Sequence, residues 1–112
     1  MPELPEVETT RRGLAPHLTG RTMAAITLRA EKLRHPLSPE LSGLLPGRKI
    51  EGVTRRGKYL LLECTGGTLL IHLGMTGHLR LAPPGTPLGR YDHVEIRLDN
   101  GSLLRLSDPR KF

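Results

Sequence analysis

The run Lys49-Ile50-Glu51-Gly52-Val53-Thr54-Arg55-Arg56-Gly57-Lys58-Tyr59-Leu60-Leu61-Leu62-Glu63-Cys64-Thr65-Gly66-Gly67-Thr68-Leu69-Leu70-Ile71-His72-Leu73 sets the fold class. Its apolar residues come in short bursts separated by glycine-bearing turns, which predicts strands over residues 49–55, 58–63 and 68–73. Thr65-Gly66-Gly67 reads as a hairpin turn. Downstream, the same pattern predicts strands at 78–81, 93–98 and 102–106. The last two are joined by Asp99-Asn100-Gly101, whose Asn-Gly pair tolerates positive φ at little cost. Residues 82–87, Ala-Pro-Pro-Gly-Thr-Pro, form a longer proline-stiffened connection. Upstream, Ile26 and Leu28 alternate with Thr27 and Arg29 in a predicted strand over 21–30. Residues 34–37 read as a loop. Ser38-Pro39-Glu40 reads as a helix start, leading to Leu41, Leu44 and Leu45 and stopped by Pro46-Gly47. At the front, Val7, Leu14 and Leu18 recur at helical spacing; Gly13 and Pro16 weaken this helix and Thr19-Gly20 closes it. About seven short strands behind a leading helix predict a mainly β protein with flanking helices (α+β), an antiparallel β-sandwich with an N-terminal α-helix.

The chain has 112 residues, which suits one domain with a modest core. It has no apolar run long enough to cross a bilayer and no basic-then-apolar leader. The single Cys64 excludes an internal disulfide and a cysteine-clustered zinc site within these residues, and a cytoplasmic location is expected. The five histidines, His17, His35, His72, His78 and His93, lack metal-ligand spacing, so no metal is expected either. Lys and Arg number 17 against 11 Asp and Glu, a net charge of +6 that favours an anionic partner such as a nucleic-acid backbone. These charges are spread over strands and turns, which predicts a basic face on a folded body. With Tyr59, Tyr91 and Phe112 as the only aromatics, a base-stacking platform is not expected.

The first residues, Met1-Pro2-Glu3-Leu4-Pro5-Glu6-Val7-Glu8-Thr9, carry chemistry. Removal of Met1 would free a secondary amine on Pro2. An α-amino group titrates near ~8, below lysine, so more of it is nucleophilic at neutral pH. Pro5 suits a first helical turn. The positive end of that helix would lower the amine pKa further. Glu3 and Glu6, three apart, can border the amine. An amine beside a carboxylate can form a Schiff base and move protons. The plainer reading of this stretch alone is a helix cap.

Three further motifs stand behind it: Arg56-Gly57-Lys58-Tyr59-Leu60, Ile71-His72-Leu73-Gly74-Met75-Thr76-Gly77 and Ser107-Asp108-Pro109-Arg110-Lys111-Phe112. Taken in order with the opening, they resemble formamidopyrimidine-DNA glycosylase, a bacterial enzyme that removes 8-oxoguanine and formamidopyrimidines. The resemblance implies the N-terminal catalytic domain over residues 1–112. It implies Pro2 as nucleophile, Glu3 as acid/base, Glu6 as a residue shaping the site and Lys58 as a catalytic, phosphate-contacting lysine. It further implies His72 and His93 as DNA contacts, and Met75, Arg110 and Phe112 as fillers of the gap left by the extruded nucleotide, with Arg110 reading the opposite cytosine. A flipped nucleotide must leave its stack at a cost of a few kcal/mol, so something must occupy the hole. Each of these residues alone has a plainer reading: Met75 and Phe112 as core, and Lys58, Arg110 and Lys111 as surface charges. The co-linear set reverses that.

The family continues into a helix–two-turns–helix part and a zinc finger, both absent from these residues. A monomer with weak DNA affinity, little activity as a fragment and no cofactor of its own is therefore expected. Other readings are an oxidised-pyrimidine glycosylase of the endonuclease VIII branch, a tautomerase using an N-terminal proline as base, and a basic β module that only binds nucleic acid.

Overall fold

The computed structural model describes residues 4–28, 45–72, 77–90 and 92–107. The helix α1 covers Leu4–Leu18. The strands are β1 Met23–Leu28, β2 Ile50–Arg56, β3 Tyr59–Cys64, β4 Gly67–His72, β5 His78–Ala82, β6 Asp92–Leu98 and β7 Leu103–Ser107. Each strand expected from the sequence is present, shifted by two residues or fewer at the ends that are described. The expected helix start at Ser38 and the loop at 34–37 lie outside the described residues.

Two antiparallel sheets share one apolar core. The first is built from consecutive hairpins in the order β2-β3-β4, and the second has the order β1-β6-β7-β5. They meet at one corner, where Thr22 bridges Lys49. There the Met23 N–H donates to the Arg48 carbonyl at 2.9 Å and the Ile50 N–H to the Arg21 carbonyl at 2.8 Å. Val53, Leu60, Leu62 and Ile71 from the first sheet pack in one cluster with Leu79, Ile96, Leu98 and Leu104 from the second.

The helix runs through Gly13 and Pro16, which the sequence suggested would weaken it. Those residues cost roughly 1 and 3 kcal/mol in a helix interior. Val7, Leu14 and Leu18 are all buried in the core, and each contributes roughly 1.5–3 kcal/mol by leaving water. Burial outweighs propensity. At the helix end the Gly20 N–H donates to the Ile50 carbonyl at 2.7 Å. Near its start, Glu8 pairs with Arg55 at the far end of β2. The helix therefore lies antiparallel to β2, and its N-terminal turn sits at the end of the sheet where β2 turns into β3.

The outer face of the second sheet carries a buried ionic network. Arg105, flanked by the apolar Leu104 and Leu106, is only 1% exposed. Its Nε donates to Glu95 at 2.9 Å and one terminal nitrogen to the Pro87 carbonyl at 2.9 Å. The other terminal nitrogen donates to the Thr86 carbonyl. The proline-rich connection after β5 thus folds over the sheet and supplies acceptors to a guanidinium that strand alternation would leave in water. Asp92 completes the network, at 3.8 Å from Arg105 and 2.9 Å from Arg80.

Candidate active site

The turn Gly57-Lys58 joins β2 to β3, with Arg56 and Tyr59 as the closing pair. Gly57 takes φ 59°, a left-handed conformation that glycine adopts without strain. Lys58 is exposed at this tip. Directly across from Tyr59, on β4, stands His72. The two rings lie 4.8 Å apart, centroid to centroid, at 36°, so Tyr59 backs the exposed imidazole. Arg55, Arg56, Lys58 and His72 give this end of the first sheet a concentration of basic groups, all exposed.

Glu6 lies in the first turn of α1, also exposed, at the end of the helix that faces this tip. Glu8, half a turn on, is a different kind of carboxylate. It accepts from Arg11 Nε and a terminal Arg11 nitrogen at 3.0 and 2.6 Å, from Arg12 Nε at 2.8 Å and from Arg55 Nε at 3.0 Å. The hydrogen bonds from Arg11, then those from Arg55 and Arg12, hold its carboxyl far below the ordinary carboxylate range against a smaller opposing effect of burial. Glu8 stays ionised and cannot serve as a proton shuttle near neutral pH.

His93 sits on β6 at a β-bulge: Asp92 faces Ser107 and Val94 faces Leu106, so His93 has no counterpart on β7. A bulge re-aims the side chain it carries. Beside it, burial pushes the Asp92 carboxyl up, but the Gly89 N–H at 2.6 Å, Arg80 and Arg105 outweigh that and leave it below its ordinary range. Arg80 also donates to the Ser107 hydroxyl at 3.1 Å, fixing the last residue of β7. His78, Asp92 and Ser107 lie at one end of the second sheet. The chain from His72 to His78 has six Cα steps and spans at most about 22 Å, so this end lies within that reach of the Lys58–His72 end.

The structure thus brings Lys58, His72 and the Glu6-bearing start of α1 to one end of the first sheet, and His93 to the start of β6 in the second. Pro2, Glu3, Met75, Arg110 and Phe112 lie outside the described residues. They attach to the chain before Leu4, between His72 and Gly77, and after Ser107. Sequence reasoning missed Glu8, Arg55, Asp92 and Arg105. Glu8 and Arg55 are 47 residues apart, and no spacing rule pairs them. Among the described residues, no three His, Cys, Asp or Glu side chains gather as metal ligands, and no helix is long and apolar enough to cross a membrane.

The sequence model of the formamidopyrimidine-DNA glycosylase N-terminal domain matches residues 1–112. The chain is 64% identical over its full length to a formamidopyrimidine-DNA glycosylase of Geobacter sulfurreducens, of which it covers 41%. It is 60% identical to one of Stenotrophomonas maltophilia, of which it covers 42%. Among solved structures, it resembles the Lactococcus lactis enzyme bound non-covalently to DNA containing an AP site, with a TM-score of 0.88 and 35% identity over 99% of this chain and 43% of that one. A second structure of that enzyme, in complex with DNA containing FAPY-dG, gives a TM-score of 0.87 and 36% identity over 98% of this chain and 42% of that one. The chain spans about two fifths of the length of these relatives.

Proposed function

The chain belongs to the formamidopyrimidine-DNA glycosylase N-terminal domain family, and from that premise we propose that it is the catalytic part of a bifunctional DNA glycosylase and AP lyase of base-excision repair, acting on 8-oxoguanine and formamidopyrimidines. The observation that carries the reading is the convergence of Lys58, His72 and the N-terminal turn of α1 at one basic end of the first sheet. The solved relatives' complexes with AP-site and FAPY-dG DNA support a damaged duplex as the partner of that end.

In this reading the Pro2 nitrogen, freed of Met1, attacks C1′ of the damaged nucleotide. The C1′–N bond breaks and its electron pair leaves with the base, which takes up a proton. Glu3 is the acid/base at the sugar. Ring opening gives an iminium that acidifies the 2′ proton. Its removal expels the 3′ phosphate, and a second elimination expels the 5′ phosphate. Lys58 and His72 hold phosphate charge, His93 contacts the DNA, and Glu6 shapes the site. Met75, Arg110 and Phe112 occupy the gap in the duplex, with Arg110 reading the opposite cytosine. No cofactor is consumed. The protein acts as a monomer in the bacterial cytoplasm, on nucleoid DNA, with further DNA-gripping parts supplied by the remaining length of the protein.

Borohydride trapping of the full-length protein on duplexes containing 8-oxoguanine, an oxidised pyrimidine or an abasic site tests this. A covalent adduct that forms fastest with the oxidised purine and disappears in Pro2→Gly is expected. No adduct, or one undiminished in Pro2→Gly, removes the chemical basis of the reading; a pyrimidine preference assigns the endonuclease VIII type of substrate.

A further inference from the structure

We propose that Glu8 and Arg55 are positioning residues, a carboxylate–guanidinium tether that sets the place of Lys58 relative to the start of α1; the proposal rests on the function given above. One guanidinium spans the distance. Arg55 Nε donates to Glu8 at 3.0 Å, and a terminal nitrogen of the same group donates at 2.9 Å to the carbonyl of Gly57, the residue before Lys58. The helix is thereby connected through a single planar side chain to the turn that carries the lysine.

The turn needs such a connection. Residues 54–59 are all exposed, so no buried side chain anchors the tip between Val53 and Leu60. Glu8 in turn is fixed from its own helix, by the paired donors of Arg11 and by Arg12 Nε. Arg11 also reaches the Val53 carbonyl on β2 at 3.4 Å. A carboxylate held by three guanidiniums has little rotational freedom, and a planar guanidinium with two engaged edges transmits its orientation.

Stability is not what this arrangement supplies. Exposed ion pairs contribute little to folding, and α1 is already held by Val7, Leu14 and Leu18 in the core. The geometry is spent on where the tip sits. Misplacing a catalytic group by about 1 Å costs up to about a hundredfold in rate.

The experiment uses the full-length protein with Met1 removed, under single-turnover conditions on an 8-oxoguanine duplex, with Glu8→Ala and Glu8→Gln made in both the parent and a Lys58→Ala background. Glu8→Ala is expected to slow excision by roughly tenfold or more without weakening DNA binding, since deleting an anion from a basic surface favours the duplex. Glu8→Gln keeps one acceptor oxygen and should recover part of the rate; it also carries the comparison if the alanine variant melts too low. In the Lys58→Ala background neither change should slow the reaction further, because Glu8 acts through the lysine. An unchanged rate in Glu8→Ala, or an equal slowing in both backgrounds, overturns the proposal. A parent protein that excises nothing overturns the proposed function instead.

Discussion

Replacing Arg105 by methionine keeps most of the apolar stem and deletes the guanidinium. The structure sets the size of the effect. Arg105 is 1% exposed, and its loss strands two carbonyls, those of Thr86 and Pro87, together with the Glu95 carboxylate. Removing one partner of a buried pair costs about 3–5 kcal/mol. The lower end applies here. Glu95 keeps 18% of its side-chain surface in water and can rehydrate, and Asp92 retains Arg80 and the Gly89 N–H. A loss of about 3 kcal/mol corresponds to roughly 12 °C or more in melting temperature for a domain of this size. Urea titration followed by circular dichroism, beside calorimetry, measures it. Arg105→Lys should fall between the two, because a point charge cannot engage three acceptors in a plane. A methionine variant within about 1 kcal/mol of the parent would mean that the network adds nothing beyond its apolar stem, and the reasoning would be refuted.

Asp92→Asn should flatten the acid limb of stability. A carboxyl held below its ordinary range by Gly89, Arg80 and Arg105 against burial stabilises the fold above the unfolded value near ~4, and that stability is lost as pH falls through the folded value. The variant should therefore be less stable than the parent at neutral pH and converge with it toward pH ~2; parallel curves would speak against this. Burial pushes the Cys64 thiol up, so a thiol-reactive probe at pH ~8 should label it slowly in the native protein and quickly in denaturant. Equal rates would place it at the surface. Gly57→Val forces a β-branched residue to φ near 59° and should cost about 1–3 kcal/mol, with a slower reaction through Lys58. Gly57→Asn should be much milder, and a valine variant as stable and active as the asparagine one would contradict the turn geometry.

Strand positions were legible because alternation and turn chemistry are local. Leu60, Leu62 and Cys64 face the core, as a period of two requires, and Gly66 and Gly101 take positive φ where the turns fall. Sheet order was not legible, since β1 finds its partner in β6 across most of the chain. The burial of Arg105, between Leu104 and Leu106, has no local sequence mark, because it depends on the fold of the proline-rich connection over the sheet. Lys58 and His72 were named from two separate motifs, and the hairpin pairing of β3 with β4 brings the Lys58 turn beside His72, which faces Tyr59. The tether between Glu8 and Arg55 was invisible for the opposite reason, as it arises only when the helix docks on β2. The bulge at His93 likewise has no sequence mark, because it is a mismatch between two strands and not a property of either.

The first sheet is made of neighbours along the chain, whereas β1 must wait for β6. Leu28 and Val94 are opposite each other in the finished sheet, so during synthesis β1 has no partner in its own sheet until the sixth strand has left the ribosome. Local hairpins close in microseconds, but joining distant strands is slow. The β2-β3-β4 meander, which carries Lys58 and His72, can therefore assemble first and serve as the template against which the earlier-made β1 is finally captured.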